Sequence, residues 1–441
     1  MKRVILNLLI LFTLAACQVR KEASVEVVVK DSKMEPVEFY LSAMDTVLQM
    51  DANGKGTVTL PVSEPQYGTV KYKWKVAQVY FEPGKDFTMV WDMLPSELAV
   101  RFEGENADKN NFINGKELDT PRMGDFGLQE GELLDKLEEY LADNQKILES
   151  KGFPRDFTEK EKYRLTYDVY GILWQYALGD KATDASFDKI KSLIKEEDWL
   201  LQLNSYTNYI QGAVECLALH GVDWQNMPAK DMTLAELDYV VKNITNPKIK
   251  EYLVGSFAIG YIGKEGVADA DDIKAIFEKH VTDPILKAAF DKVYEEGQAL
   301  AKGMKSPEFN YPDINGKMVS LADFKGNLVY IDVWATWCGP CKEELPHLER
   351  LQKIFEPTKI VFVSISIDKD KAAWEQAVKS GNMGGVQLWA GTDTAFTDAY
   401  KIEGIPRFIL VDAEGNILEA NMSRPSEENT VAYLGMYAEP K

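Results

Sequence analysis

The chain has 441 residues, with 50 Lys+Arg against 70 Asp+Glu, a formal charge of −20, 45% hydrophobic and 11% aromatic residues. That apolar content supports packed cores and excludes wholesale disorder. The acidic surplus argues against a nucleic-acid backbone binder, which needs clustered Lys and Arg. The length predicts about three domains. The four cysteines, Cys17, Cys216, Cys338 and Cys341, are too few for a disulfide-stapled scaffold, so each needs its own explanation.

Lys2 and Arg3 precede an apolar run from Val4 to Ala16 that is shorter than the ~20 residues a membrane span needs. Residues 1–16 read as a signal peptide. The run ends Leu14-Ala15-Ala16-Cys17, which resembles a bacterial lipobox; the resemblance implies lipidation of Cys17 and a membrane anchor made of acyl chains. An ordinary cleaved signal with a chance cysteine is the alternative. Residues 17–22 read as a lipidated polar tether.

Residues 23–105 predict a small antiparallel β domain, a sandwich or open barrel. Ser24–Val29, Thr57–Leu60, Val70–Val76 and Phe87–Trp91 are rich in β-branched and aromatic residues, separated by turn signals at Asn53-Gly54 and Glu82-Pro83-Gly84. Residues 126–303 predict an all-α domain of seven or eight helices. Leu133, Leu137, Tyr140 and Leu141 recur at helical spacing, Thr158–Glu161 and Thr233–Glu236 read as capping starts, Gly179 as a stop, and Asp283-Pro284 opens the last helix. Cys216 and His220, four apart on one helix, could be a metal fragment, but two ligands do not make a site and a buried thiol is the simpler reading. His280 fits a helix C-terminus. Residues 305–441 alternate strand and helix, an α/β pattern. They hold 14 basic and 20 acidic residues, so most of the acid lies earlier, in domains whose purpose the sequence leaves open.

The chemistry lies at 332–347. Leu328–Ile331 is a buried-strand run, and Leu348, Leu351 and Ile354 carry helical spacing, so Cys338 and Cys341 open a helix directly after a strand. Two cysteines three apart there can close a small disulfide. The helix N-terminus lowers the pKa of the first thiol, Cys338, while Cys341 lies one turn in and acts second.

Trp337-Cys338-Gly339-Pro340-Cys341 matches the thioredoxin active site, and the context Trp334–Pro346, with Pro307-Glu308-Phe309 and Asp313–Lys317 before it, resembles the membrane-anchored TlpA/ResA-type reductases. Gly404-Ile405-Pro406-Arg407 resembles that family's cis-proline loop. The resemblance covers about 135 residues. It implies a thioredoxin-like fold for 305–441, a redox disulfide Cys338–Cys341, and client contacts from Trp337, Gly339, Pro340, Ile405 and Pro406, with Arg407 placing a charge at the substrate groove. It also carries over two carboxylates, Asp332 as the buried acid that takes the proton of Cys341, and Glu344 near the cysteines. Thioredoxin pairs its buried aspartate with a lysine; this sequence has Ser364 on the next strand instead, so the acid's pKa could differ.

The expected function is a lipid-anchored thiol–disulfide oxidoreductase of the bacterial cell envelope, facing the periplasm, reducing disulfide-containing client proteins. It needs no cofactor and no metal, and draws electrons from a membrane thiol donor. Zinc on the Cys-x-x-Cys pair lacks a second ligand pair, with His347 six residues beyond Cys341. A haem site would need His at 342, where Lys342 stands. A peroxiredoxin-like peroxidase would need Thr-x-x-Cys, which Thr336-Trp337-Cys338 does not supply. A client-binding lipoprotein with an accessory redox domain is a third reading.

Overall fold

The computed structural model describes residues 20–30, 35–42, 44–93, 98–121, 123–179, 182–224, 226–381 and 383–441. The 1–16 signal segment and Cys17 lie outside the described residues. The chain forms two compact units, one of the described residues up to Asp223 plus Tyr239–Ile249, the other of Trp224–Asp238 plus Lys250–Lys441. The helical stretch read as one domain, 126–303, is therefore shared between the two.

Among the described residues the first unit opens with eight strands: β1 (Glu22–Val29), β2 (Val37–Leu41), β3 (Met44–Leu48), β4 (Lys55–Pro61), β5 (Gln66–Tyr72), β6 (Lys75–Phe81), β7 (Phe87–Met93) and β8 (Leu98–Gly104). They build two four-stranded sheets, ordered β4-β1-β7-β8 and β3-β2-β5-β6. Alternate residues turn inward, so Val25 and Val27, Phe39, Val70 and Tyr72, Met89, Trp91 and Phe102 share one core. The domain is not wholly antiparallel, because β1 pairs parallel with β7. The run Val70–Val76, which reads as one strand, is a hairpin. Lys73 turns it at φ 55°, and no Gly or Asn marks the place.

Ten helices follow among the described residues before the last domain: α1 (Ala107–Asn114), α2 (Glu130–Ser150), α3 (Arg155–Tyr170), α4 (Leu173–Ala177), α5 (Asp184–Leu193), α6 (Asn204–Ala218), α7 (Ala229–Asn243), α8 (Pro247–Glu265), α9 (Asp271–His280) and α10 (Pro284–Ala299). Nine of them fall in 126–303, against the seven or eight expected, partly because the chain breaks at Gly171 between α3 and α4. The capping patterns at Thr158 and Thr233 both lie inside helices, where their hydroxyls have no exposed N–H groups to cap. The cap at Asp283 is used, its carboxylate accepting the N–H groups of Ile285 (2.8 Å) and Leu286 (3.1 Å). Cys216 is fully buried in α6, and burial pushes its thiol up to about 12. At His280, burial and the neighbouring Lys279 and Lys250 hold the imidazole below its ordinary range, against the direction a helix C-terminus alone would give.

Within the first unit the β5–β6 edge is stitched to the helices by polar bonds. Tyr67 Oη donates to Glu161 Oε1 at 2.7 Å; Arg164 reaches Glu161 at 2.7–3.0 Å and also pairs with Asp168. Glu161 is 0% exposed. Replacing Arg164 by Met leaves that carboxylate buried without its cation. The expected cost is about 3–5 kcal/mol in urea unfolding of this unit. A change under ~1 kcal/mol would show that water or repacking compensates the acid.

The second unit ends in β9 (Asn310–Pro312), β10 (Met318–Ser320), β11 (Leu328–Trp334), α11 (Gly339–Ile354), β12 (Ile360–Ser366), α12 (Lys371–Ser380), β13 (Val386–Trp389), α13 (Ala395–Ala399), β14 (Arg407–Val411), β15 (Ile417–Met422) and α14 (Glu428–Tyr437). Five strands form one sheet, ordered β13-β12-β11-β14-β15; β11, β12 and β13 run parallel, and β14 runs antiparallel to both of its neighbours, β11 and β15. The central strand β11 is buried at every residue, as a run of Val, Ile, Leu and aromatics covered on both faces should be. Tyr330 packs with Leu348 and Leu351 of α11, while Val329, Ile331 and Val333 pack on the opposite face with Phe396 and Tyr400. This alternation decides which side chains can meet the cysteines.

Candidate active site

The strand β11 ends at Trp334, and after a short connection Cys338 stands at the N-cap of α11. Pro340 fits the first turn because its missing N–H is not needed there. Cys338 and Cys341 are joined in a disulfide with a Cα–Cα distance of 5.3 Å. The backbone N–H of Cys341 donates to Cys338 Sγ at 3.1 Å. This sulfur is thus placed at the electropositive end of α11, where a thiolate is favoured. Cys338 is 5% exposed and Cys341 2%, whereas Trp337 beside them is 67% exposed. Gly339 and Pro340 are also exposed.

The Ile405–Pro406 peptide bond is cis, and the Ile405 carbonyl oxygen lies 3.7 Å from Cys338 Sγ. Two segments 67 residues apart in sequence meet at the sulfur. Ile405 also packs on the apolar cluster of Trp334, Ala335, Cys338, Cys341 and Trp374.

Asp332 shares the sheet face of Tyr330 and Trp334, the side covered by α11. It is 4% exposed, and burial pushes its carboxyl up to about 7, with Ser364 opposing the rise by hydrogen bonding and the charge of Glu344 adding to it. Ser364 is the register partner of Asp332 on β12, so the place of thioredoxin's lysine is taken by a neutral donor. Glu344, one turn after Cys341, is 7% exposed. Ser426 holds it through its N–H (3.0 Å) and its hydroxyl (2.8 Å), with Arg424 at 4.0 Å. The Glu344 side chain held there is the one whose charge adds to the rise at Asp332. Glu344→Gln is expected to lower the titration midpoint of Asp332, which the pH dependence of unfolding would report. An unmoved midpoint would separate the two groups.

The redoxin family profile matches residues 301–434. ResA of Bacillus subtilis, a thiol-disulfide oxidoreductase, is 27% identical over 147 residues, 33% of this chain and 82% of that protein. A candidate thiol-disulfide oxidoreductase of Bacteroides vulgatus, solved in solution, is 54% identical over 31% of this chain and 94% of its own, with a TM-score of 0.29. The thioredoxin domain of another thiol-disulfide oxidoreductase of the same organism is 28% identical, covering 32% of this chain and 99% of its own, TM-score 0.30. The chain is a redoxin-domain thiol-disulfide oxidoreductase.

Within the redoxin domain one expectation fails. Arg407 does not reach the groove at Cys338. In register it pairs with Val333, not Asp332, so it shares the face away from α11. It is half-buried, lines a cavity of about 240 Å³ with residues of α8, α10 and β15, and donates to the Ala420 carbonyl at 3.5 Å. Burial lowers its pKa, opposed by Glu265 and Glu403. One residue next to the site belongs to none of the motifs read from the sequence. Asp368, just past β12, is 2% exposed and binds Thr336 in the loop before Cys338.

Proposed function

We propose that this protein is a lipid-anchored, extracytoplasmic reductase of protein disulfides. The Cys338 thiolate attacks one sulfur of a client disulfide. A Cys338–client bond forms, the client S–S bond breaks, and the departing client sulfur takes up a proton. Cys341 then gives its proton to Asp332 and attacks Cys338, closing the Cys338–Cys341 disulfide and releasing the second client thiol. Two electrons pass from the pair to the client, and a membrane thiol donor returns them. Trp337, Gly339, Pro340 and the Ile405–Pro406 backbone form the client surface, the carbonyl before the proline accepting from an added client strand.

The observation that carries this reading is the approach of Cys338 Sγ to the Ile405 carbonyl at the N-terminus of α11; the Asp332 carboxyl on the sheet face that α11 covers, pushed up to about 7 by burial, supports it. No described helix is long and apolar enough to cross a membrane. Attachment in this proposal rests on Cys17 and its acyl chains alone. Wild type should accelerate dithiothreitol-driven insulin reduction, and Cys338→Ser should fall to the uncatalysed rate. Absence of wild-type turnover would end the reductase proposal. Release of the protein from membranes by Cys17→Ala would support the anchor, and unchanged membrane retention would exclude it.

A further inference from the structure

Asp368 is a buried acidic side chain. Among the described residues no Lys, Arg or His forms an ion pair with it, and its oxygens are met by neutral donors. The Thr336 hydroxyl donates to Oδ1 at 2.7 Å, the Thr336 N–H to Oδ2 at 2.9 Å and to Oδ1 at 3.2 Å, and the Ser366 hydroxyl to Oδ2 at 2.8 Å. Asp368 is itself held on two sides. Its N–H donates to Ser366 Oγ at 3.0 Å, and its carbonyl accepts from Trp389 Nε1 of β13 at 2.6 Å. A buried carboxyl left without its hydrogen bonds is costly, so the contacts from the Thr336 N–H and hydroxyl fix its position.

Thr336 lies in the short connection between β11 and the N-cap of α11. That connection is otherwise closed by Cys338 N–H donating to the Ala335 carbonyl at 3.1 Å. Where Thr336 is held determines where the strand ends and the helix starts.

We infer that Asp368 is a positioning residue for the redox pair: by fixing Thr336 it keeps Cys338 at the N-cap of α11, its sulfur under the Cys341 N–H and against the Ile405 carbonyl. The inference rests on the reading of Cys338 as the attacking thiol. A merely structural Asp368 would change the unfolding midpoint and leave the thiol's chemistry alone. A positioning Asp368 sets the thiol's reactivity.

The test uses the reduced full chain and the alkylation of Cys338 by iodoacetamide, followed by mass spectrometry of its peptide across pH. Thr336→Val keeps the side-chain shape, leaves Asp368 itself unchanged and removes one donated bond. It should slow alkylation at neutral pH about five-fold, the effect of one such bond, and raise the apparent pKa of Cys338. Thr336→Ser restores the hydroxyl and should recover the rate to within about two-fold. In the double variant with Asp368→Asn, the combined loss should be smaller than the product of the single losses, because both changes act on one contact. Val and Ser variants with equal rate and pKa would overturn the inference, as would singles that multiply. If Asp368→Asn does not fold, the Thr336 pair decides alone. Insulin reduction is measured in parallel. An inactive wild type defeats the client-reduction reading, while alkylation still judges the positioning.

Discussion

Replacing Cys341 by serine is expected to turn the enzyme into a trap. Insulin turnover should fall about a thousand-fold or more, the scale seen when one member of a concerted covalent apparatus is removed. Covalent complexes with clients should accumulate at the same time. The reason is the division of labour built into the start of α11. Cys338 caps the helix, with the exposed Trp337 beside it and the Ile405 carbonyl in front, while Cys341 is 2% exposed one turn inside. In the proposed mechanism Cys338 meets the client sulfur, and among the described cysteines Cys341, bonded to it in the structure, is the one placed to displace it. The 5.3 Å Cα–Cα distance lies within the ordinary disulfide range, so resolution needs no backbone rearrangement. In the Cys341→Ser variant the mixed disulfide persists until external thiol removes it. The assay is a non-reducing gel of the variant mixed with envelope proteins, with dithiothreitol releasing the adducts. Adducts that also form in a Cys338→Ser, Cys341→Ser double variant, or near-normal turnover by Cys341→Ser, would refute the assignment.

How much of this is legible in the sequence depends on range. Trp337–Cys341 and Gly404–Pro406 are contiguous signals whose chemistry is local: a capped helix start and a proline with a restricted backbone. Reading them requires no knowledge of what lies between. Arg407 shows the limit. Its proximity to Pro406 suggests the groove, but side-chain direction follows strand parity, and pairing with Val333 turns it to the far face. Asp368 is invisible for the opposite reason. Its partner Thr336 is 32 residues away, and no motif marks a carboxylate that serves a loop.

The same contrast holds in the first unit. The inward alternation of β1 is plain in Val25, Val27 and Val29. The assignment of α3 to a unit with β5 rests on Tyr67 and Glu161, 94 residues apart, which no periodicity connects. The hairpin at Lys73 escapes notice because turn chemistry normally resides in Gly and Asn, and here a lysine adopts the left-handed conformation.

The second large effect concerns Asp332, where stability and activity should move in opposite directions. The folded group titrates at about 7, and an unfolded aspartate near 3.9. Between those values the folded chain holds one proton more than the unfolded chain. Wild-type stability therefore falls as pH rises from about 4 to about 7, then levels off. A rise from near 3.9 to about 7 corresponds to about 4 kcal/mol over the window. Asp332→Asn is neutral throughout and lacks this slope. The variant should match wild type near pH 4 and exceed its stability by up to about 4 kcal/mol at pH 8, read from urea unfolding of the oxidised redoxin transition by tryptophan fluorescence. Activity should do the reverse. In the proposed mechanism the ionised carboxylate takes the Cys341 proton, so wild-type resolution should rise through pH 7. The Asn variant should lose that rise and be slower by about 10²-fold at pH 8, converging with wild type below about pH 6. A gain in stability without the kinetic loss would leave Asp332 a strained core acid and move the proton acceptor to Glu344, whose carboxylate already raises the Asp332 pKa. Parallel stability curves for wild type and variant would refute the raised pKa itself.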